Sequence, residues 1–245
     1  MSNIFRLLHL NTFSFFKKKS YLLFLAIFLI LSGFFFFEYI HQIKTNTIIW
    51  NDTIVSPVLG NIHFLFLLFT PVIVYLCSSF IFSEQGRQFA DFFEISNKAG
   101  VFSQYLFCLS QVFLLHLMIF PFFFYLFHLG YNDWSFILNL FVTLFLICSA
   151  ISSICFYIRS KVRNPLVYMT FCLGIICFFY TVNLAGNLVK NFVLIEFFKS
   201  ISFSVAFDTA LSGVVSVKKS FFLLSISFSF LFFSISKFSQ KRKIR

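Results

Sequence analysis

The chain has 245 residues, of which 60% are hydrophobic, 11% are charged and 45 are Phe. That composition excludes a water-soluble domain, whose surface needs far more polar material. The net charge of +11 does not point to nucleic acid. The basic residues stand at the ends of apolar runs, where Lys and Arg meet lipid headgroups, so no nucleic-acid partner is expected.

In chain order, Asn3 to Phe16 mixes Arg6, His9 and Asn11 with Ile4, Leu7, Leu8 and Phe15. This pattern suits an amphipathic helix lying along a headgroup layer. Lys17, Lys18 and Lys19 then precede an apolar run, as in a signal peptide. The run is too long for an h-region, and Glu38-Tyr39-Ile40-His41 is no small-residue cleavage site. A retained first span over 20–37 is therefore expected. Further spans are expected at about 62–82, 101–129, 134–158, 166–184 and 220–236. Charged residues bound these stretches and none lies inside them. About 18 residues at roughly 1.5 Å each cross the hydrocarbon core. A single charge at mid-bilayer costs roughly 2.5–3.5 kcal/mol on the insertion scale. Runs such as Leu22-Leu23-Phe24-Leu25-Ala26-Ile27-Phe28 do not alternate as barrel strands do. Helices satisfy their own backbone groups, so the expected fold is an all-α integral membrane protein with six transmembrane helices.

Orientation follows from Lys and Arg. The N-tail, the 84–98 and 159–163 loops and the C-tail carry 14 of the 19; Lys44, Lys190, Lys199, Lys218 and Lys219 fall on the other side. The first side is expected to be cytoplasmic, giving N-in and C-in, although Lys218-Lys219 runs against the rule. Trp50, Tyr131 and Trp134 fall at the expected outer interface. Residues 187–219 are too polar to span, because Lys190, Glu196, Lys199 and Asp208 interrupt them, and too apolar for a plain loop. A re-entrant or surface-lying hairpin outside the cytoplasm is expected there.

The chemistry of catalysis is sparse. There is no G-x-x-x-x-G-K-[ST] phosphate loop and no H-E-x-x-H pair in the sequence. Cys77, Cys108, Cys148, Cys155, Cys172 and Cys177 lie in apolar runs without a C-x-x-C pair. They read as packing residues rather than metal ligands or disulfides. His63, His116 and His128 have no intramembrane carboxylate to pair with and read as neutral histidines bonded to a neighbouring helix. Pro71 and Pro121 are expected to kink spans two and three. No catalytic site, cofactor or metal is expected.

One segment stands out. Residues 83–97 place Phe89, Phe92 and Phe93 on one helical stripe, with Glu84, Arg87, Asp91 and Glu94 beside it. Such a helix either docks into a groove on a cytoplasmic partner or lies on the membrane alone.

The layout resembles the membrane subunit of type-2 ATP-binding-cassette (ABC) exporters, in the branch that includes the gliding-motility permeases. Those subunits carry a coupling helix between spans two and three with a pattern close to E-x-x-x-G-T-x-E-x-L-L. Here Glu84 takes the first acid, Asp91 the second and Phe92-Phe93 the apolar pair, while Gln88-Phe89 replace Gly-Thr. Near the C-terminus the family often shows F-x-x-F-x-x-G-V-I-D-x-x-D-x-x-Y-F-L-S-L. This chain has Phe203, Phe207, Gly213-Val214-Val215 and Lys218-Lys219-Ser220-Phe221-Phe222-Leu223-Leu224-Ser225, with the acids lost. The resemblance spans the whole chain. It implies one permease domain over residues 1–245 in the cell inner membrane, without its own ATPase site. Its partners would be an ABC ATPase subunit and a second permease copy or paralogue. Coupling would run through Glu84, Arg87, Phe89, Asp91, Phe92, Phe93 and Glu94, to export of a substrate that uncharged spans do not specify. The rivals are a membrane enzyme acting on lipids, which should cluster polar catalytic residues at one interface, and a channel or structural membrane protein.

Overall fold

The computed structural model describes residues 19–45, 52–79, 97–128, 134–186, 188–189, 191–214 and 216–243. Among these residues the chain is entirely helical. The helices are α1 (Lys19–Thr45), α2 (Asp52–Ser78), α3 (Asn97–His128), α4 (Trp134–Lys161), α5 (Pro165–Gly186), α6 (Phe192–Ile201), α7 (Phe203–Leu211) and α8 (Val217–Lys243). Six of them, α1 to α5 and α8, are long and apolar enough to cross a membrane. The protein therefore has multi-pass membrane character.

The helices outrun the expected spans. Helix α2 starts ten residues before Ile62, and α8 starts at Val217. Lys218 and Lys219 consequently stand in the first turn of α8 and not ahead of it, because nothing in helix geometry stops a terminal turn from carrying charge at the headgroup level. Helices α2 and α3 continue through Pro71 and Pro121. Serine and threonine hydroxyls bond back to carbonyls four residues earlier, as Thr70 does to Phe66 (2.7 Å), Ser32 to Phe28 (2.7 Å) and Ser234 to Phe230 (2.8 Å). These bonds keep the hydroxyls satisfied within their own helix.

Helix α4 is the centre of the bundle. It packs against α2, α3, α5, α7 and α8, and its seam with α8 is the most extensive in the molecule. The reason is legible in its run Cys148-Ser149-Ala150-Ile151-Ser152-Ser153-Ile154-Cys155, all buried. Lipid tails are as apolar as leucine, so helices associate in a bilayer through close packing, and small side chains let backbones approach. Ser149 and Ser227 face each other across that seam at 3.4 Å. Helices α5 and α8 are the least buried of the six, along with α1. Large apolar side chains such as Leu166, Phe171, Phe221 and Phe228 point outward from them, as a lipid-facing surface requires. Of the cysteines, all are free and five are buried, while Cys177 is exposed on α5 and so does not pack.

The expected hairpin between spans five and six is a pair of short helices. Asn164-Pro165 and Asn191 show how the sequence starts helices here: the Asn164 carboxamide accepts from the Leu166 amide (2.9 Å), and Asn191 does the same for Val193 (2.9 Å). Ser202 ends α6 and begins α7. Helix α7 closes with Gly213 at φ 75°. The Gly213 amide donates to the Ala210 carbonyl (3.0 Å) and the Val214 amide to that of Thr209 (3.3 Å). That is the two-bond left-handed stop, which favours a residue without Cβ.

Candidate functional site

The residues singled out for coupling, Glu84, Arg87, Phe89, Asp91, Phe92, Phe93 and Glu94, lie outside the described residues, as does the Asn3–Phe16 segment. What the structure shows is the platform from which the 80–96 segment departs, formed where α2 ends, α3 and α5 begin and α4 ends.

Four side chains tie this end together. Gln104 of α3 donates from Nε2 to the Cys77 carbonyl in the last turn of α2 (2.6 Å). Tyr168 of α5, fully buried, donates its hydroxyl to the Pro71 carbonyl of α2 (3.0 Å). Its ring lies 5.4 Å from that of Tyr75. The Arg159 guanidinium of α4 covers the Tyr75 ring at 4.4 Å, a cation–π contact. It also donates to the carbonyls of Val162 (2.9 Å) and Arg163 (3.2 Å), closing the turn between α4 and α5. Each bond satisfies a buried polar group, and losing one partner would strand the other in an apolar interior. The end of α2 is thereby bound to α3, α4 and α5 at once. None of these four was singled out from sequence. Spacing does not reveal them, because each contact joins helices far apart in the chain.

Deeper in the bundle, Tyr21 of α1 donates to Gln111 Oε1 of α3 at 2.6 Å. Gln104 and Gln111 are seven residues apart on one face of α3, the only sign in the sequence of this polar seam. The two described histidine side chains differ, His116 meeting the Leu144 backbone of α4 while His63 has no such bond among the described residues. His116 bonds within its own helix, Nδ1 to the Val112 carbonyl at 2.8 Å, and its ring stacks on Phe66 at 4.1 Å. His63 is fully buried and neither ring nitrogen has a hydrogen-bond partner among the described residues. Its ring lies flat on Phe207 of α7, 4.1 Å away and 9° from parallel. Shape, and not a cross-helix hydrogen bond, holds that histidine. The His128 side chain lies outside the described residues.

Phe207 belongs to the C-terminal pattern quoted above, and so does Phe203, whose ring stacks on Phe179 of α5 at 4.9 Å and 13°. These two aromatics anchor α7 on spans five and two. Between them and the turn at Gly213 stands Asp208, whose carboxyl burial pushes above the ordinary carboxylate range. A raised value means that the folded protein holds the proton more tightly than the unfolded chain does. Stability at this residue therefore grows as pH falls through the carboxylate range and is reduced above it. Asp208→Asn is expected to match or exceed the parent in thermal midpoint at pH 7.5, with the gap closing by pH 4.5. Thermal scans of the detergent-solubilised protein at the two pH values check this.

Among the described residues no group of three or more His, Cys, Asp or Glu is placed to hold a metal ion. The contacts of the platform join helix to helix. Comparison of the chain with protein-family models, with curated proteins and with solved structures finds no match.

Proposed function

We propose that the chain is the membrane-spanning permease subunit of an ABC transporter, driven by a separate ATPase subunit and working with a second permease copy or paralogue in the cell inner membrane. The observation that carries the reading is the platform at the root of the 80–96 segment. An acidic, aromatic segment follows the end of α2, which is bound there to α3, α4 and α5, so force applied to it would reach four helices together. The support from sequence is the coupling pattern at Glu84, Asp91 and Phe92-Phe93 and the pattern from Phe203 to Ser225, whose aromatic and glycine positions serve as the anchors and stop of α7. In this reading the N- and C-termini are cytoplasmic, α6 and α7 lie on the opposite side, and ATP-driven closure of the ATPases moves the spans to export a substrate.

The test is co-purification. The chain, tagged and solubilised in mild detergent, is expected to bring down a P-loop ATPase encoded beside it, and to show no ATP turnover alone. One-sided reporters at Asn46, Asn132 and Arg245 should read outside, outside and inside. Enzyme-like ATP turnover by the isolated chain, or an outside signal at Arg245, would overturn the proposal.

A further inference from the structure

Helix α6 has an apolar arc wider than the protein covers. On its helical wheel Lys199, Glu196 and Ser200 share one arc, interrupted by Phe192 of the first turn, and Val193, Leu194, Ile195, Phe197, Phe198 and Ile201 form the rest. Ile195 and Phe198 approach Gly186 at the end of α5. The other half of the arc is bare: Val193 is 72% exposed and Phe197 55%. No α6 residue is buried.

At the polar edge of this helix a cationic corner forms. The Lys219 ammonium in the first turn of α8 donates to the Lys199 carbonyl in the last turn of α6, pinning the two helices. Lys218 lies next to it and is exposed, as is Lys199. The opposing charge at this corner is Glu196, which attracts Lys219. Three ammonium groups against one carboxylate leave the corner positive. It stands where a membrane span begins, at the depth of lipid headgroups. Lys218 and Lys219 are the pair that runs against the charge rule in the expected orientation.

We propose that α6 and the start of α8 bind an anionic phospholipid, the phosphate held by Lys199, Lys218 and Lys219 and the acyl chains lying on Val193, Leu194 and Phe197. Charge and apolar surface meet here as they do in a phospholipid at the boundary of the hydrocarbon. The exposed arc of α6 continues into the lipid-facing side chains of α5 and α8, Leu184 and Phe221 among them, so the lipid would be the innermost member of the surrounding shell. An amphipathic helix with basic residues on its polar edge and Phe on the other settles at this level in the bilayer. The lysines that offend the charge rule then have a local anionic partner and need no reversal of the chain. The inference does not depend on the permease reading or on which face of the membrane α6 occupies.

The full chain is purified in mild detergent with equal amounts of phosphatidylglycerol and phosphatidylcholine of the same acyl length. Native mass spectrometry reads the lipid retained. Each lysine near an anionic surface contributes about a fivefold factor in binding. The protein should retain phosphatidylglycerol preferentially, and Lys199→Ser, Lys218→Ser and Lys219→Ser combined should cut that preference about tenfold or more. If the triple variant does not fold, Lys218→Ser alone, which leaves the Lys219–Lys199 bond intact, should cut it by about fivefold. A second reading places the helix. Phe197→Trp should add fluorescence that brominated acyl chains quench and aqueous iodide does not. Equal retention of the two lipids by the parent, unchanged preference in the variants, iodide quenching at position 197, or displacement of the lipid by inorganic phosphate would each overturn the proposal.

Discussion

Phe207→Ala is expected to release α7 from the bundle. The ring is 2% exposed and lies flat against a histidine that has no hydrogen bond among the described residues to replace the contact. Truncating a buried Phe costs about 3–5 kcal/mol, from lost contacts and the cavity left behind. Here the loss falls on a nine-residue helix, too short to persist without its packing. Opening should therefore be local, with the six long helices retained. Hydrogen exchange of the 203–211 amides should quicken by two orders of magnitude or more while exchange in α4 stays slow. Phe203→Ala should act in the same direction through Phe179. Phe228→Ala, at a ring 68% exposed on the lipid-facing side of α8, should leave both readings unchanged. Protection of 203–211 that survives Phe207→Ala would show that α7 is held by something other than its aromatic anchors.

Under the permease proposal, truncating Phe92 and Phe93 to Ala should remove several kcal/mol from association with the proposed ATPase subunit. A helix seated in a groove concentrates its binding energy in a few buried aromatic anchors, typically about 2–4 kcal/mol each. Asp91→Lys should weaken assembly further by setting like charges together. Insertion in the bilayer should be unaffected, because the segment lies between spans. A helix that rested only on lipid would behave otherwise, losing some membrane affinity while the ATPase stayed bound. Undiminished co-purification and transport with all three substitutions would sink the coupling assignment. The platform adds a second arm. Gln104→Leu and Tyr168→Phe break the ties from α2 to α3 and α5 without touching the segment, at about 0.5–1.5 kcal/mol per lost bond. They should leave the ATPase bound and lower transport per ATP consumed.

Six long helices were legible in the sequence because apolar length is a one-dimensional property. The boundaries were less so. Charges at Glu38 and Lys219 mark where hydrocarbon ends, not where the helix does, and α8 begins ahead of Lys218. The intermediate character of 187–219 corresponds to two short helices, and Asn191, Ser202 and Gly213 are the local signals that bound them. What could not be read was which residues meet. Tyr168 and Pro71, or Gln104 and Cys77, become neighbours only when the bundle forms. His63 defied expectation for the same reason: its partner is a ring on a helix 144 positions later. Of the segment proposed to couple, residues 80–96, the structure describes only the helix ends on either side, at Ser78 and Asn97.

The central place of α4 has a consequence for how the molecule is made. Ser149 finds Ser227 across 78 residues of chain, so α4 enters the bilayer long before α8 is synthesised. Until then Ser149 has no Ser227 beside it, and the α8 side of α4 faces lipid or an insertion chaperone. The last span is thus the lid on the first half of the bundle. Chains released before residue 217 should be recognised by membrane proteases as unfinished, however well their earlier spans are inserted, and α8 supplied as a separate peptide should rescue them.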